Sequence, residues 1–394
     1  MSFEKNKIVY ILVISIYVLI TVFAKNLVDV YHYVYVIFLF GATCFLSIKN
    51  KIKIDIIPIL LLLRSLFFIV NGYVLGVEFL VVWEQELVTY VGVLAYIFAV
   101  NFSSKEKEEI KHILIFTTLI TSFQILESIL VNGLDKNYIG AGVGMSNYAA
   151  AFLLMGLTYL LFSKKNLFEK VVFGFSIIMF LLVQSFGACF AFAIMVICYL
   201  LKYVNWKRKA VWVTVSISIV LLTIALLLMF TFAKDNPIID KIIVKISALL
   251  SGDLNTFGSS RPALYKFTIE NILRNPWFGN ILNYNSSYDI EFRWQYFRTH
   301  NFLFESLLLY GIVGTVINIF VIICIVKKMG KGFLNNNFNF ICFLIVVGAF
   351  VHGAIEPNLF TFNYSLFFWL IVGAMINNCN KKLKKISYFN ECGK

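Results

Sequence analysis

Long apolar segments separated by short polar ones run along almost the whole chain. Many of them are long enough to cross the roughly 30 Å hydrocarbon layer of a bilayer as α-helices. The pattern predicts about twelve spans, near 8–24, 29–48, 54–75, 86–101, 111–132, 147–163, 170–185, 188–204, 210–233, 302–326, 338–354 and 359–377. The sequence therefore predicts an all-α fold, a polytopic membrane bundle of helices.

Composition supports the same class of protein. Of the 394 residues, 60% are hydrophobic and only 14% are charged, which is too few polar residues to coat a soluble core of this size. The first apolar segment follows Lys5 and Lys7 and lacks a small-residue cleavage site. We therefore expect it to be a retained helix and not a signal peptide.

The chain has a net charge of +13, and the positions of its basic residues indicate a membrane topology. Lysine and arginine collect in alternate connections, as the positive-inside rule requires of cytoplasmic segments. These basic segments are 5–7, 49–53, 105–111, 164–170, 202–209, 327–331 and 381–394. The distribution predicts that both termini are cytoplasmic and that the long segment 234–301 is external, and it gives no indication of nucleic-acid binding.

Three regions follow from this topology: residues 1–233 with about nine transmembrane helices, the external loop 234–301, and residues 302–394 with about three helices and a cytoplasmic tail. Within the loop, Pro237–Leu250 has the pattern of an amphipathic interfacial helix. A second short helix is predicted from Ser260, a plausible N-cap, to just before Asn275-Pro276. No Cys/His cluster has zinc spacing and no Walker loop is present, so we expect no metal or nucleotide cofactor.

Basic side chains are concentrated in the external loop. They are Arg261, Arg274, Arg293, Arg298 and His300, with the aromatic residues Trp294, Tyr296 and Phe297 beside them. The guanidinium fork matches phosphate oxygens two at a time, so the cluster indicates an anion at the lipid surface, with a diphosphate as the obvious ligand. The alternative is that the arginines only bind anionic lipid headgroups.

Four polar residues near or within the spans are further candidates. Arg64, inside the third span, either pairs with Gln124 or Glu127 or faces an anionic ligand. His300 is either a general base or an interfacial residue that caps the next span. His352 and Glu356 lie one helical turn apart and share a face that could shape an acceptor site.

The motifs in and after the loop resemble those of the bacterial O-antigen ligase and Wzy-type polysaccharide polymerase superfamily. The matching positions, in order, are Arg261, Tyr265, Ile272, Asn275-Pro276, Gly279, His300-Asn301-Phe302-Leu303 and Gly311-Ile312-Val313-Gly314. The resemblance covers about 170–320 in motif and the whole chain in architecture. It implies a metal-independent membrane glycosyltransferase that transfers a glycan from an undecaprenyl-diphosphate donor to an acceptor hydroxyl.

The resemblance also implies residue roles. Arg261 matches the arginine that holds the donor diphosphate, and His300 matches the histidine that assists or orients the acceptor. One position departs from the pattern, because many members have Ser-Arg-Gly where this chain has Ser185-Phe186-Gly187. A second donor-binding arginine is then expected elsewhere, with Arg298, Arg293 and Arg64 as candidates.

Three functions remain in view. The first is a polymerase that moves the growing polysaccharide onto the next lipid-linked repeat unit, for O-antigen, capsule or exopolysaccharide, at the external face of a bacterial cytoplasmic membrane. The second is a ligase of the same superfamily that moves finished glycan to another acceptor. The third, a lipid-linked oligosaccharide flippase or carrier, is disfavoured because no internal repeat is visible. Expected partners are the lipid-linked oligosaccharide, the bilayer, a chain-length regulator and a flippase.

Overall fold

The structure, a computed structural model, is a helical bundle. It describes residues 31–47, 52–102, 108–134, 139–141, 144–204, 261–280, 299–330, 333–334 and 336–392, with a few positions between 244 and 252. Its helices are α1 (Tyr31–Ser47), α2 (Ile56–Val74), α3 (Phe79–Phe102), α4 (Glu108–Asn132), α5 (Ser146–Phe162), α6 (Leu167–Leu182), α7 (Phe186–Tyr203), α8 (Arg261–Arg274), α9 (Phe302–Met329), α10 (Asn337–Gly353) and α11 (Phe362–Cys392). A two-residue antiparallel pair, β1 (Gly140–Ala141) and β2 (Gly144–Met145), precedes α5, and a 3-10 turn (Asn358–Phe360) precedes α11.

The predicted spans can be compared with these helices. Each predicted span that falls on described residues coincides with a helix, and α6 and α7 are separate helices. The predicted spans at 8–24 and 210–233 lie outside the described residues, so the total of about twelve stays a prediction. Within the described part of the chain, four helices are long and apolar enough to cross a membrane, namely α2, α4 from Glu109, α7 and α9.

The loop that is predicted to be external is described in part. Helix α8 runs from Arg261 to Arg274, which confirms the short helix predicted between Ser260 and Asn275-Pro276. The predicted amphipathic helix Pro237–Leu250 lies largely outside the described residues, and so does the basic aromatic run up to residue 298.

The centre of the bundle is formed by α5 and the first half of α11. Nearly every described side chain of α5 is buried, and so is nearly every one from 363 to 377 of α11. A helix that is apolar on all sides is suited to a protein core or a membrane span, and the burial of these two helices places them inside the bundle. Glycine brings α3 and α11 close, since a Cβ at Gly373 would lie 2.8 Å from the Tyr96 carbonyl oxygen. Small residues at such crossings let helix backbones approach closely within the bilayer.

A polar cluster fastens one end of the bundle. Asp55 caps α2 by accepting a hydrogen bond from the Ile57 amide at 3.0 Å. Its second oxygen accepts from the Tyr96 hydroxyl at 2.6 Å and pairs with the Lys328 ammonium at 3.1 Å. The cluster joins α2, α3 and the last turn of α9, and it lies at the opposite end of α9 from His300.

Helix α9 is broken at Gly311. This residue has φ 60° and ψ −166°, a region of backbone conformation that is essentially reserved for glycine. In an unbroken helix the Leu308 carbonyl would accept from the Ile312 amide. Here the Leu308 carbonyl accepts from the Asn280 amide at 2.6 Å, and the Ile312 amide donates to the Pro276 carbonyl at 2.8 Å. The loop after α8 thus takes over backbone bonds that the helix has lost.

The segment Asn275–Gly279, which we call the docking turn, is built to fit this break. The Gly279 amide donates to the Asn275 carbonyl at 3.0 Å, and the Asn275 side chain donates to the Gly279 carbonyl at 2.6 Å. The side-chain amide of Asn71, on α2, donates to the backbone carbonyls of Phe278 and Gly279, each at 3.1 Å. Because a Cβ at Gly311 would overlap the Trp277 carbonyl, two backbones pass each other with no room for a side chain. The docking turn therefore fixes α8 to α9 and α2.

Replacing Gly311 by alanine should unfold this junction. Gly330 offers a matched control, since it ends the same helix with nearly the same backbone angles, φ 57° and ψ −174°, but has nothing near its Cβ position. We expect Gly330→Ala to cost about 1–3 kcal/mol through backbone strain alone. We expect Gly311→Ala to cost more than about 4 kcal/mol, because strain and overlap add.

The measurement is thermal unfolding of the detergent-solubilised protein, with the amount of membrane-inserted protein recorded in parallel. Equal losses for the two variants would show that the close backbone approach contributes nothing.

Candidate active site

His300 lies in a short turn that is fixed on both sides. Asn301 is the N-cap of α9, and its side-chain oxygen accepts from the amides of Leu303 at 2.9 Å and Phe304 at 3.1 Å. On the other side, the Thr299 amide donates to the buried Glu305 carboxylate at 2.9 Å. His300 itself has φ 52°, in the left-handed region that few residues other than glycine adopt. The N-cap of α9 is Asn301, so the alternative prediction that His300 caps this span is wrong.

The His300 ring is paired with a buried carboxylate. Its Nδ1 atom lies 2.7 Å from Oε2 of Glu356, which is 1% exposed, while the histidine side chain is 36% exposed. A carboxylate can only accept, so the neutral imidazole carries its proton on Nδ1 and presents the lone pair of Nε2. A histidine with this tautomer can take a proton from a hydroxyl group at its exposed edge.

The second oxygen of Glu356 is also held. Oε1 accepts from the Asn147 side-chain amide, at the start of α5, at 2.6 Å. The Asn147 oxygen in turn accepts from the Ser185 hydroxyl at 2.9 Å. Ser185 is the N-cap of α7, where its oxygen accepts from the Ala188 amide at 3.4 Å. We refer to His300, Glu356, Asn147 and Ser185 together as the His300 site.

The side chains of His352 and Glu356 contact different residues. The Glu356 amide donates to the His352 carbonyl at 2.8 Å, so the two residues are one turn apart as expected. The His352 ring, however, contacts the side-chain amide of Asn358 and is fully buried. The two side chains of the predicted acceptor face thus have separate partners, and Glu356 is the one that the structure brings to His300.

The start of α8 lies beside the start of α9. The rings of Tyr265 and Phe304 are in contact, with centroids 5.0 Å apart. Tyr265 is one turn after Arg261, and Phe304 is one turn after His300. Arg261, the first residue of α8, is therefore on the same side of the junction as His300. Arg274 is exposed at the opposite end of the helix, about 20 Å away along its axis.

The remaining predicted donor-binding arginines differ in where they lie. Arg293 and Arg298 are outside the described residues. Arg64 is buried in α2, and its guanidinium donates to the Asn318 side chain at 2.8 Å and to the Thr89 hydroxyl. It also lies over the Tyr310 ring, 4.1 Å from the centroid.

The expected partners of Arg64, Gln124 and Glu127, are therefore wrong. The actual partners come from α3 and α9, because the bundle places those helices against α2. Asn318 continues this network by donating to the Ser306 hydroxyl at 2.8 Å. Both terminal nitrogens of Arg64 are thus engaged inside the bundle.

Several site residues could not be identified from the sequence. Asn147 is one of them, because it lies 209 positions from its partner Glu356, itself a predicted candidate, and no motif links the two. Glu305 looks like an isolated acidic residue at the start of a span, although it holds the Thr299 amide. Asn147 and Ser185 each lie next to the boundary of a predicted span. Many polar loop residues do the same, so this position alone does not distinguish site residues. Phe186, which stands where many superfamily members carry arginine, directly follows Ser185 as the exposed first residue of α7.

One known protein family is similar to part of this chain. Residues 171–319 match the model of a family described as O-antigen ligase, Wzy_C. No curated protein matches the chain. The matched range includes α8, the docking turn, the break at Gly311 and His300. The apolar helices agree with a multi-pass membrane protein, and residues 171–319 are similar to the O-antigen ligase (Wzy_C) family, in agreement with the superfamily that the motifs indicate.

Proposed function

We propose that this protein is a polysaccharide polymerase that transfers a growing glycan from undecaprenyl diphosphate to the next lipid-linked repeat unit. The observation that carries the proposal is the His300–Glu356 pair, with an exposed imidazole edge and a buried carboxylate 2.7 Å behind it. This pair lies beside the start of α8, within the reach of a lipid-linked substrate at the membrane surface. The matched O-antigen ligase domain contains His300 and Arg261.

The transfer step uses groups of this chain alone. The acceptor hydroxyl loses its proton to Nε2 of His300 while its oxygen bonds to the anomeric carbon of the donor glycan. The bond from that carbon to the phosphate oxygen breaks, and its electron pair leaves with undecaprenyl diphosphate. Glu356 stabilises the imidazolium that forms, because an anion next to a developing cation lowers its energy. Arginine side chains take the place of a metal ion in binding the leaving diphosphate.

We assign the diphosphate to Arg261, Arg293 and Arg298. These residues belong to the loop that carries α8, and a guanidinium group binds phosphate oxygens with two parallel hydrogen bonds. Arg64 already has partners for both terminal nitrogens, which supports a role in helix packing over one in ligand binding. His352 is proposed to support the acceptor side of the site through Asn358.

We further propose that the protein resides in the bacterial cytoplasmic membrane, with both termini cytoplasmic and the His300 site at the external face. The positive-inside rule supports this orientation. Lys328, in the last turn of α9, and Lys202, in the last turn of α7, both lie at the opposite ends of these helices from the His300 site.

The first prediction from this function concerns the base. We expect His300→Ala to lower the rate of glycan transfer by about 100-fold to 10,000-fold, the range of general base catalysis. We expect Glu356→Gln to lower it by a smaller factor, since the imidazole remains but loses its charged partner. His112→Ala is the control, because His112 is an exposed histidine on α4, far from the site in sequence.

The assay uses purified protein with a lipid-linked repeat unit and sizes the product on a gel. Unchanged transfer by His300→Ala would contradict the assignment. In a gene-deletion host, loss of a polymerase leaves glycans of a single repeat. Polymer that accumulates on its lipid carrier would instead indicate the ligase, and lipid-linked repeat units confined to the cytoplasmic leaflet would indicate a flippase.

The second prediction concerns the donor diphosphate. Arg261→Ala should raise the KM for the lipid-linked donor by about 10-fold to 100-fold, since a hydrogen bond to a charged group is lost. Arg261→Lys should recover only part of this loss, because an ammonium cannot bind phosphate with two parallel bonds. Arg274→Ala, at the opposite end of the same helix, should leave KM within about twofold, since it alters only an exposed charge.

Competition by inorganic pyrophosphate provides an independent readout. The inhibition constant should rise in Arg261→Ala and stay unchanged in Arg274→Ala. Equal effects of the two substitutions would show that only the overall charge of the loop matters.

A further inference from the structure

The His300 site contains two residues to which the transfer step gives no role. Asn147, at the start of α5, and Ser185, at the start of α7, form an unbroken chain of hydrogen bonds that ends on Glu356. Ser185 is 1% exposed and Asn147 is partly buried. Neither residue is hydrogen-bonded to His300, and the chain of hydrogen bonds reaches the imidazole through Glu356.

The direction of each hydrogen bond in this chain is determined by chemistry. The Glu356 carboxylate can only accept, so the NH₂ group of Asn147 faces it and the Asn147 oxygen faces Ser185. The Ser185 hydroxyl, whose oxygen accepts from the Ala188 amide, therefore donates to the Asn147 oxygen and keeps the amide in this orientation. An ionised carboxylate accepts this donor at Oε1 and the His300 Nδ1 proton at Oε2.

We propose that Asn147, oriented by Ser185, is the positioning residue that holds Glu356 ionised and aimed at His300. The proposal rests on the function assigned above. A donor on each oxygen restricts the rotation of a buried carboxylate and stabilises its charged form. With a second donor on the opposite oxygen, Glu356 has one orientation and keeps the proton of His300 on Nδ1. The starts of two membrane helices, α5 and α7, thereby determine which nitrogen of the base faces the acceptor.

The backbone around Glu356 supports the same arrangement. Residues 354–361 connect α10 to α11, and the Asn301 side chain donates to the Ala354 carbonyl at 3.0 Å. Ile355 lies against Gly187, where an added Cβ would be 3.1 Å from its side chain. The turn that carries Glu356 is therefore in contact with the starts of both α9 and α7, and these contacts restrict its movement.

The test replaces Asn147 by leucine, which is similar in size and has no donor, and by aspartate, which has the same shape but sets a second carboxylate against Glu356. Both variants should lower kcat about 10-fold to 100-fold and leave the KM for the lipid-linked donor within about twofold, since one hydrogen bond to a charged group is lost. Ser185→Ala should lower kcat by a smaller factor, because it frees the amide to turn without removing it. Asn337→Ala, at the start of α10 on the opposite end of the bundle, is the control and should retain the rate.

A double-mutant cycle separates positioning from folding. In a Glu356→Ala background, Asn147→Leu should change kcat by less than about twofold, because the carboxylate that Asn147 positions is already gone. An effect that persists in full in that background would show a structural role and overturn the proposal. If His300→Ala and Glu356→Gln reduce transfer but Asn147→Leu does not, the relay is wrong and the proposed function stands. If His300→Ala leaves transfer unchanged, both are wrong.

Discussion

The exchange of backbone hydrogen bonds at Gly311 is the constraint on which the rest of this site depends. A helix within a membrane must satisfy its amides and carbonyls internally, because no water is available to do so. The break in α9 leaves the Leu308 carbonyl and the Ile312 amide without helical partners. The docking turn supplies the partner of the Ile312 amide, and Asn280, directly after the turn, supplies the partner of the Leu308 carbonyl. The loop that carries Arg261 is thus bonded into the bundle at the depth of Gly311, and the start of α8 is held beside the start of α9.

Two buried charged side chains near this junction are each stabilised by several polar or aromatic partners. Glu356 and Arg64 are both nearly inaccessible, and an unpartnered charge in such surroundings would be very costly. The Arg64 guanidinium donates hydrogen bonds to the side-chain oxygens of Asn318 and Thr89 and lies over the ring of Tyr310. All three residues come from helices packed against α2. Glu356 has donors from His300 and Asn147. The first set fixes the bundle next to the break in α9, and the second prepares a base at the end of the same helix.

The sequence predicts the helices better than it predicts their contacts. Apolar length identifies each described span, and Ser260 with Asn275-Pro276 gives the limits of α8 because capping and proline act locally. The break at Gly311 could not be seen, since the residues around it are apolar and the span reads as continuous. The partners of Arg64 were expected on the wrong helices, because hydropathy does not reveal which helices are neighbours. His300 was identified as a candidate base from its motif, but its pairing with Glu356 joins positions 56 residues apart in the chain.

The most direct test of the account is a reaction in liposomes that contain only the purified protein and an undecaprenyl-diphosphate-linked oligosaccharide, with a chelator present. The released undecaprenyl diphosphate and the size of the glycan are measured together. We expect the glycan to grow by whole repeat units, one lipid diphosphate to be released for each bond formed, and His300→Ala to slow both by about 100-fold to 10,000-fold. Movement of the lipid-linked oligosaccharide across the bilayer with no new glycosidic bond would contradict the account.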